Sequence, residues 1–510
     1  MIYSKSLSAF LIPSICLVLL LILLLHRGRR RKIILLSRIP GPKGIPFFGN
    51  ALEYSLSPVE LFRYVVESGS WWRQQTPIML VWILQRPEVH ILTPETAGSV
   101  LRSTSNIDKG TSYELLHPWL GTGLLTASGN KWHSRRKMIT PTFHYKILGD
   151  FLQVMNKQAT VFVGQLREHK GGSAFNIHPF LTRCTLDIIC ETAMGCSINA
   201  QTDQESEYLK TVGRISTLVT QRIYKPWLPI LAKFHLTKES KEFDQCIRVL
   251  HGFTRTIIHQ RRNQHSIRKC EVDINGNQDQ IGQKQRFAFL DHLLEISNCG
   301  EHLSDEDIRE EVDTFMLGGH DTTATAISWA LYLIGRDSEV QAHIHAEMHE
   351  VFGDDKIRPA TMDDLSKMQY LGCCIKETLR LFPPVPAFSR NLTEDLVCDK
   401  YIIPSETTVV VAPYMVHRDP NHWPDPEVYN PDRFRAENCS NRHPYAYIPF
   451  SAGSRNCIGQ KFAIMNIKTI LSTVFRNFKI ESVVSRENLN IVGDLVIKSD
   501  DGIWIKLHHN

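Results

Sequence analysis

The run Phe450-Ser-Ala-Gly-Ser-Arg-Asn-Cys-Ile-Gly459 sets one cysteine, Cys457, between two glycines and two residues after an arginine. A free cysteine in a globular chain is usually a small buried hydrophobe, and that reading suits the other eleven of the twelve cysteines. They show no CxxC pair and no framework spacing, which fits free thiols in a reducing compartment. Cys457 differs. Gly453 and Gly459 let the backbone turn tightly, so that amide N–H groups face the sulfur. Arg455 adds a positive charge, and the combination favours a thiolate. An apolar run with helical spacing, Phe462 to Val474, follows at once, which brings the sulfur near a helix N-terminus and its favourable dipole.

Three other stretches carry chemistry. Glu377-Thr-Leu-Arg380 has the i,i+3 spacing of a same-face pair. Exposed, such a pair is worth at most about 1 kcal/mol. Trp132-His-Ser-Arg-Arg136 puts an indole and a guanidinium on one helix face at i,i+4. Gly318-Gly-His-Asp-Thr-Thr323 lies inside a long helical pattern. That pattern opens on a capping-box signature, Ser304-Asp-Glu-Asp307, and runs to about Gly335. The helix would be roughly 45 Å long at about 1.5 Å per residue. Two interior glycines cost roughly 1 kcal/mol each. They serve either a flat ligand lying on the backbone or close helix packing.

A thiolate held by amides is a good axial ligand for haem iron, where it pushes electron density towards bound oxygen. The ten-residue run resembles, at every fixed position, the haem-binding signature Phe-x-x-Gly-x-Arg-x-Cys-x-Gly of the cytochrome P-450 superfamily, and the other motifs fall in that family's order. The resemblance implies Cys457 as iron ligand, with Phe450, Gly318 and Gly319 against the haem. It implies Trp132, Arg136, Arg390 and Arg455 on the propionates. Glu377, Arg380 and Arg433 would form a buried network beneath the haem, and Asp321 and Thr322 would manage protons beside dioxygen. It also implies a mostly α fold with small β-sheets (α+β): a triangular helical domain around the haem, plus a minor β-rich lobe.

The rest of the chain agrees. It has 510 residues, 43% hydrophobic and 9% aromatic, with a net charge of +5. That is enough apolar material for one large core, and no nucleic-acid footprint stands out. Residues 7–25 are uncharged, apolar and long enough to span a bilayer. His26-Arg-Gly-Arg-Arg-Arg-Lys32 follows them, which predicts an uncleaved N-terminal transmembrane helix with the remainder cytosolic. The expected organisation is an anchor with basic flank over 1–32, a proline-rich hinge over 33–50, and a monooxygenase domain over 51–510. Short strands are expected at Ile78–Ile83 and near Val89–Leu92, a mainly helical stretch at about 130–380, and a surface loop over the polar gap Asn263–Gln285.

Glu311-Val-Asp-Thr-Phe-Met316 and Arg135-Arg-Lys-Met-Ile-Thr-Pro-Thr-Phe-His144 are similar to family 4 of the superfamily, known mainly for fatty-acid hydroxylases. The chain departs from that family at Gly318, where many members carry a glutamate that can esterify a haem methyl. Gly318 predicts haem b held non-covalently. Leu317 replaces a common phenylalanine, and Leu317, Val385, Ala387 and Leu495 are expected pocket walls. The expected reaction puts one atom of O2 into a C–H bond of a small lipophilic substrate, a fatty acid near its terminal carbon. Hormone, isoprenoid or xenobiotic hydroxylation is the alternative, and a non-catalytic haem or lipid-binding protein is the rival of another class. No dinucleotide fingerprint follows an early strand, so electrons should come from NADPH through a separate cytochrome P-450 reductase, with cytochrome b5 as a possible helper. Lys131, Arg135, Lys137 and Lys461 are candidate docking charges. The expected location is the endoplasmic reticulum membrane, with the catalytic domain on its cytosolic face.

Overall fold

A computed structural model of the chain describes residues 30–143, 145–203, 206–229, 237–275, 288–298 and 303–509. The expected anchor at 7–25 lies outside these residues. Among the described residues, no helix is long and apolar enough to cross a membrane.

Helices dominate. They are α1 (Pro58–Arg73), α2 (Pro94–Leu101), α3 (Gly129–Ile139), α4 (Tyr145–Leu166), α5 (His178–Ile189) and α6 (Glu207–Tyr224). Then follow α7 (Lys238–Asn275), α8 (Phe289–Asn298), α9 (Asp305–Ile334), α10 (Ser338–Phe352), α11 (Gln369–Leu381) and α12 (Gln460–Asn477). The expected long helix is α9. Ser304 and Asp307 form the capping box: each side chain accepts from the other residue's backbone N–H, and Gly335 closes the far end. α9 is buried along most of its length because it packs on α5, α11 and α12 and so forms the axis of the main core.

The polar gap expected as a loop is partly helix. α7 continues to Asn275, and the remainder to Gln285 lies outside the described residues. Polar composition misleads here, since Arg, Gln and Lys are good helix formers that need no apolar face.

A smaller lobe is built on a four-stranded sheet, in the order β1 (Ile78–Ile83), β2 (Arg86–Ile91), β7 (Thr408–Val411), β4 (Phe388–Asn391). β1 and β2 are antiparallel, whereas β2 and β7 run parallel with Val89 opposite Val409. The stretch expected as a hinge packs against this sheet. Leu36 and Ile39 are buried with Ile78 and Leu80 in its core, and the Leu80 amide donates to the Pro40 carbonyl at 2.8 Å. Apolar side chains at 36 and 39 anchor the stretch, and its prolines then run along the sheet edge. The remaining small sheets are β3 (Phe175–Asn176)–β11 (Trp504–His509)–β8 (Phe478–Ser482), β5 (Leu396–Cys398)–β6 (Tyr401–Ile403) and β9 (Ile491–Gly493)–β10 (Ile497–Ser499).

Candidate active site

A cavity of about 750 Å³ lies between the helical core and the smaller lobe, and Cys457 opens onto it. Among the described cysteines Cys457 is the exposed one, while the others are buried or half-buried. The loop before it turns at Gly453, with φ +68° and no room for a Cβ against the Leu101 carbonyl. The Cys457 amide donates to the Phe450 carbonyl at 2.9 Å. Gly459 is the N-cap of α12 in an ordinary conformation, φ −88°. It contributes its amide N–H to the sulfur rather than a special turn.

Burial pushes the Cys457 thiol above its ordinary pKa, against the Gly459 amide and the Arg136 guanidinium. The nearby cation is therefore Arg136, not the expected Arg455. Arg455 is committed elsewhere: it donates to the carbonyls of Ile107 (3.1 Å), Leu124 (3.4 Å) and Ala127 (2.6 Å), and lies 4.6 Å from the Trp132 ring. Arg136 donates to the Asn456 carbonyl at 2.9 Å and its side-chain oxygen at 2.7 Å, which ties α3 to the cysteine loop.

Trp132, Arg136, Arg390 and Arg455 all line the cavity, as does Lys109, which sequence reasoning missed. The backbone of Lys109 bridges that of Arg390, so the two side chains share one wall. No carboxylate forms an ion pair with any of these four cations among the described residues. Burial, and the repulsion of Arg390 and Arg455, hold Lys109 well below its usual range. Arg455 is pushed down to about 9, first by burial and then by Arg390. Uncompensated buried cations beside an open thiol fit a dianionic, iron-bearing macrocycle: its two propionates would answer the charges, and its metal the sulfur. Lys109 carried no signal of its own in the sequence.

The opposite wall is α9, which contributes Leu317, Gly318, Gly319, Thr322, Thr323 and Ala326. The two glycines separate the two readings left open. A Cβ at Gly318 would meet nothing within 4 Å, so that position leaves open space, whereas a Cβ at Gly319 would strike Ile189 of α5 at 2.5 Å. Thr322 donates to the Gly318 carbonyl at 2.7 Å, and α9 is helical without a break here. The helix stays regular beside the motif, and the hydroxyl bonds the carbonyl one turn back. Asp321 is buried and does not line the cavity. Its charge acts on His178 and His320, where it opposes the burial that lowers both.

Beneath the cysteine loop, Glu377 and Arg380 are fully buried and bidentate, at 2.7 and 2.8 Å. Arg433 approaches Glu377 at 3.5 Å. Arg380 also donates to the carbonyls of His417, Pro426 and Val428. His417 extends this network and was not foreseen. Its Nδ1 lies 3.1 Å from the Arg380 carbonyl, and its Nε2 accepts the Ile448 amide at 2.8 Å. Burial pushes this imidazole down to about 3, so it is neutral, with Nδ1–H donating. A continuous path thus runs from the Glu377–Arg380 pair to Ile448, two residues before Phe450.

The docking charges divide. Lys131 pairs with Glu310 at 3.1 Å and Asp307 at 3.4 Å, and Arg135 is buried against Asp307. Lys137 and Lys461 remain exposed. Leu317, Val385, Ala387 and Leu495 line the cavity as expected.

Similarity to known proteins points the same way. The cytochrome P450 family profile matches residues 39–504. The chain is 46% identical over 505 residues to cytochrome P450 4c3 of Drosophila melanogaster, which covers 98% of this chain and 94% of the relative. It is 47% identical over 467 residues to human cytochrome P450 4V2, covering 91% and 88% respectively. Cytochrome P450 4c21 of Blattella germanica is 40% identical over 486 residues, covering 94% and 95%.

Proposed function

The chain belongs to the cytochrome P450 family and is a haem-dependent monooxygenase that uses O2 and reductase-supplied electrons from NADPH; on that premise we propose that it hydroxylates fatty acids at or near the end remote from the carboxyl group. The observation that carries this reading is the cavity itself. One wall holds a thiol and cations with no carboxylate partner among the described residues, another holds two glycines and the Thr322 hydroxyl, and the remainder is largely aliphatic and aromatic. A saturated chain has no polar handle along its length, so only an apolar channel can present its far carbons.

Bound haem supplies the oxygen activation that places one atom of O2 in a C–H bond. The protein does the rest. Cys457 would hold the iron through its sulfur. Lys109, Arg136, Arg390, Arg455 and the Trp132 indole would hold the propionates by charge-assisted hydrogen bonds. Gly318 leaves open space on the α9 wall. The Thr322 hydroxyl is the proton-handling group on the cavity wall: it donates to the Gly318 carbonyl, so its oxygen stays open to a water molecule. Asp321 is a positioning residue, acting from behind α9 through charge rather than contact. The apolar walls exclude water and align the chain.

NADPH–cytochrome P-450 reductase is the proposed electron donor, with cytochrome b5 assisting, and Lys137 and Lys461 are the charges free to meet an acidic partner. An anchor at residues 7–25 would hold the domain on the cytosolic side of the endoplasmic reticulum membrane. Haem b is held without a covalent link, since Gly318 has no carboxylate to esterify.

The test is reconstitution with reductase and NADPH on fatty acids of graded length, with the new hydroxyl located by mass spectrometry. Terminal or near-terminal hydroxylation is expected. An intact thiolate-type carbon monoxide spectrum without fatty-acid turnover would refute the substrate assignment and redirect it to isoprenoids and xenobiotics.

A further inference from the structure

α6 reaches the cavity from the side of the β9–β10 turn and the 51–58 segment, whereas Cys457 reaches it from the loop before α12. Thr217, Thr220, Gln221 and Tyr224 of α6 line the cavity, as does Lys225 at its C-cap. At roughly 100° per residue they fall within an arc of about 140°. Their partners lie in the far-side elements. Thr217 donates to Asp494 at 3.0 Å, and Tyr224 stacks on Tyr54 at 5.8 Å.

Thr220 stands out among the hydroxyls of this helix. Thr211 and Ser216 each donate to the carbonyl four residues back, the usual recourse of a helical hydroxyl, and Thr217 gives its one proton to Asp494. Among the described residues the Thr220 hydroxyl has no partner, although Thr220 is only 8% exposed. A buried donor left unmade is unfavourable unless a ligand completes it. Beside it, the Gln221 amide makes no hydrogen bond within the described protein, and Lys225 pairs with no carboxylate there. The neighbouring acid is already answered: Asp494 receives Thr217 and Lys498, the latter at 2.5 Å. Glu88 on the facing wall lies 3.7 Å from His90. The donors that α6 leaves for a ligand are thus a hydroxyl, an amide N–H and an ammonium, which together suit an anion with several acceptor lone pairs.

We propose that Thr220, Gln221 and Lys225 bind the carboxylate of the substrate, so that the hydrocarbon chain runs from α6 towards Cys457 with its far end leading. The assignment rests on the fatty-acid reading and deepens it. It makes α6 the element that decides which end of the molecule meets the oxidant.

The experiment uses full-chain holoenzyme with palmitic acid and its methyl ester, which share a chain and differ in head-group charge. Dissociation constants come from the substrate-induced absorbance shift of the ferric enzyme, and products from mass spectrometry with reductase and NADPH. Wild type should bind the acid more tightly than the ester. Thr220→Val and Lys225→Met should each shrink that ratio roughly ten- to hundred-fold, the size of one hydrogen bond to a charged group. Thr220→Ser, which keeps the hydroxyl, should restore it. An acid-to-ester ratio unchanged in both variants, or affinities for acid and ester that fall equally, would overturn the proposal while leaving fatty-acid hydroxylation standing. Absence of both shift and product from either compound in wild type would overturn the fatty-acid reading and this assignment together.

Discussion

Replacing His417 with leucine tests whether the cysteine loop is held from below. His417 is fully buried and bridges two backbone groups, the Arg380 carbonyl at 3.1 Å and the Ile448 amide at 2.8 Å. Leucine fills a similar volume but leaves both groups without a partner. Each orphaned buried group costs about 1–3 kcal/mol, so the substitution should destabilise the protein by about 2–6 kcal/mol. The damage should not stay local. Ile448 leads directly to Phe450, whose carbonyl receives the Cys457 amide at 2.9 Å. The assay has two arms: urea unfolding of the holoenzyme followed by haem absorbance, and the carbon monoxide difference spectrum of the reduced protein, which reports thiolate ligation. The variant should unfold at lower urea and show a reduced thiolate-type band. His417→Gln, with one donor and one acceptor, should recover part of both. A leucine variant with the wild-type midpoint and a full thiolate-type band would refute the argument that this imidazole connects the Glu377–Arg380 pair to the ligand loop.

Glu311 is buried, receives the Leu124 amide at 3.0 Å and lies 3.7 Å from Arg135, yet burial pushes its carboxyl up to about 7. The folded state therefore holds this proton more tightly than the unfolded chain does, and its stability contribution is lost as pH rises through 7. Relative to Glu311→Gln, wild type should lose roughly 2–3 kcal/mol between pH 5 and 8, an upper bound at about 1.4 kcal/mol per unit; parallel pH profiles in urea unfolding would refute it. Lys109→Met should stabilise the haem-free protein but release haem to apomyoglobin several-fold faster, because the buried cation is unfavourable until a propionate meets it; unchanged release would remove Lys109 from the propionate set. Acid-acetone should extract all haem from wild type, and haem retained by the polypeptide would show a covalent link formed without Gly318. Charge reversal at Lys137 and Lys461 should slow reductase association a few-fold at low ionic strength and flatten its salt dependence, whereas the same change at Lys131 should chiefly disturb its ion pairs with Asp307 and Glu310.

How far the sequence is legible depends on whether a feature is local. The capping box at Ser304, the strands at 78–83 and the helix after Cys457 are each written in a few adjacent residues, and each is found in the structure. The glycine pair at 318–319 could be located but not interpreted, because its two members do different things. Ile189, which makes Gly319 necessary, lies 130 positions away in the chain. Lys109 and His417 were invisible for the same reason. A lysine after a polar turn and a histidine after an apolar tetrapeptide carry no periodicity. Their roles exist only once Lys109 lies beside Arg390, and His417 between Arg380 and Ile448. Arg455 shows the converse error. Proximity in sequence to Cys457 suggested a thiolate partner, yet its guanidinium is turned onto three carbonyls of the 107–127 region.

Those carbonyls also explain how the charge cluster survives folding. Arg455 is drawn into the wall by neutral acceptors that leave its full charge in place. Arg390 is drawn in by the Ser389 carbonyl at 3.2 Å and lies over the Phe388 ring. Neither contact neutralises a cation, so both keep their pull on an anion. A carboxylate in the same place would have stabilised the empty protein better, and for that reason would have competed with the propionates. Carbonyls fix position without cancelling charge. Cys457 is arranged in the same spirit: the Gly459 amide and the Arg136 guanidinium favour its anion, while burial pushes its pKa up. An iron centre held by Cys457 would take the place of the thiol proton. Both halves of the site, cations without acids and a thiol without a base, are unfavourable in isolation and become complementary around a single ligand.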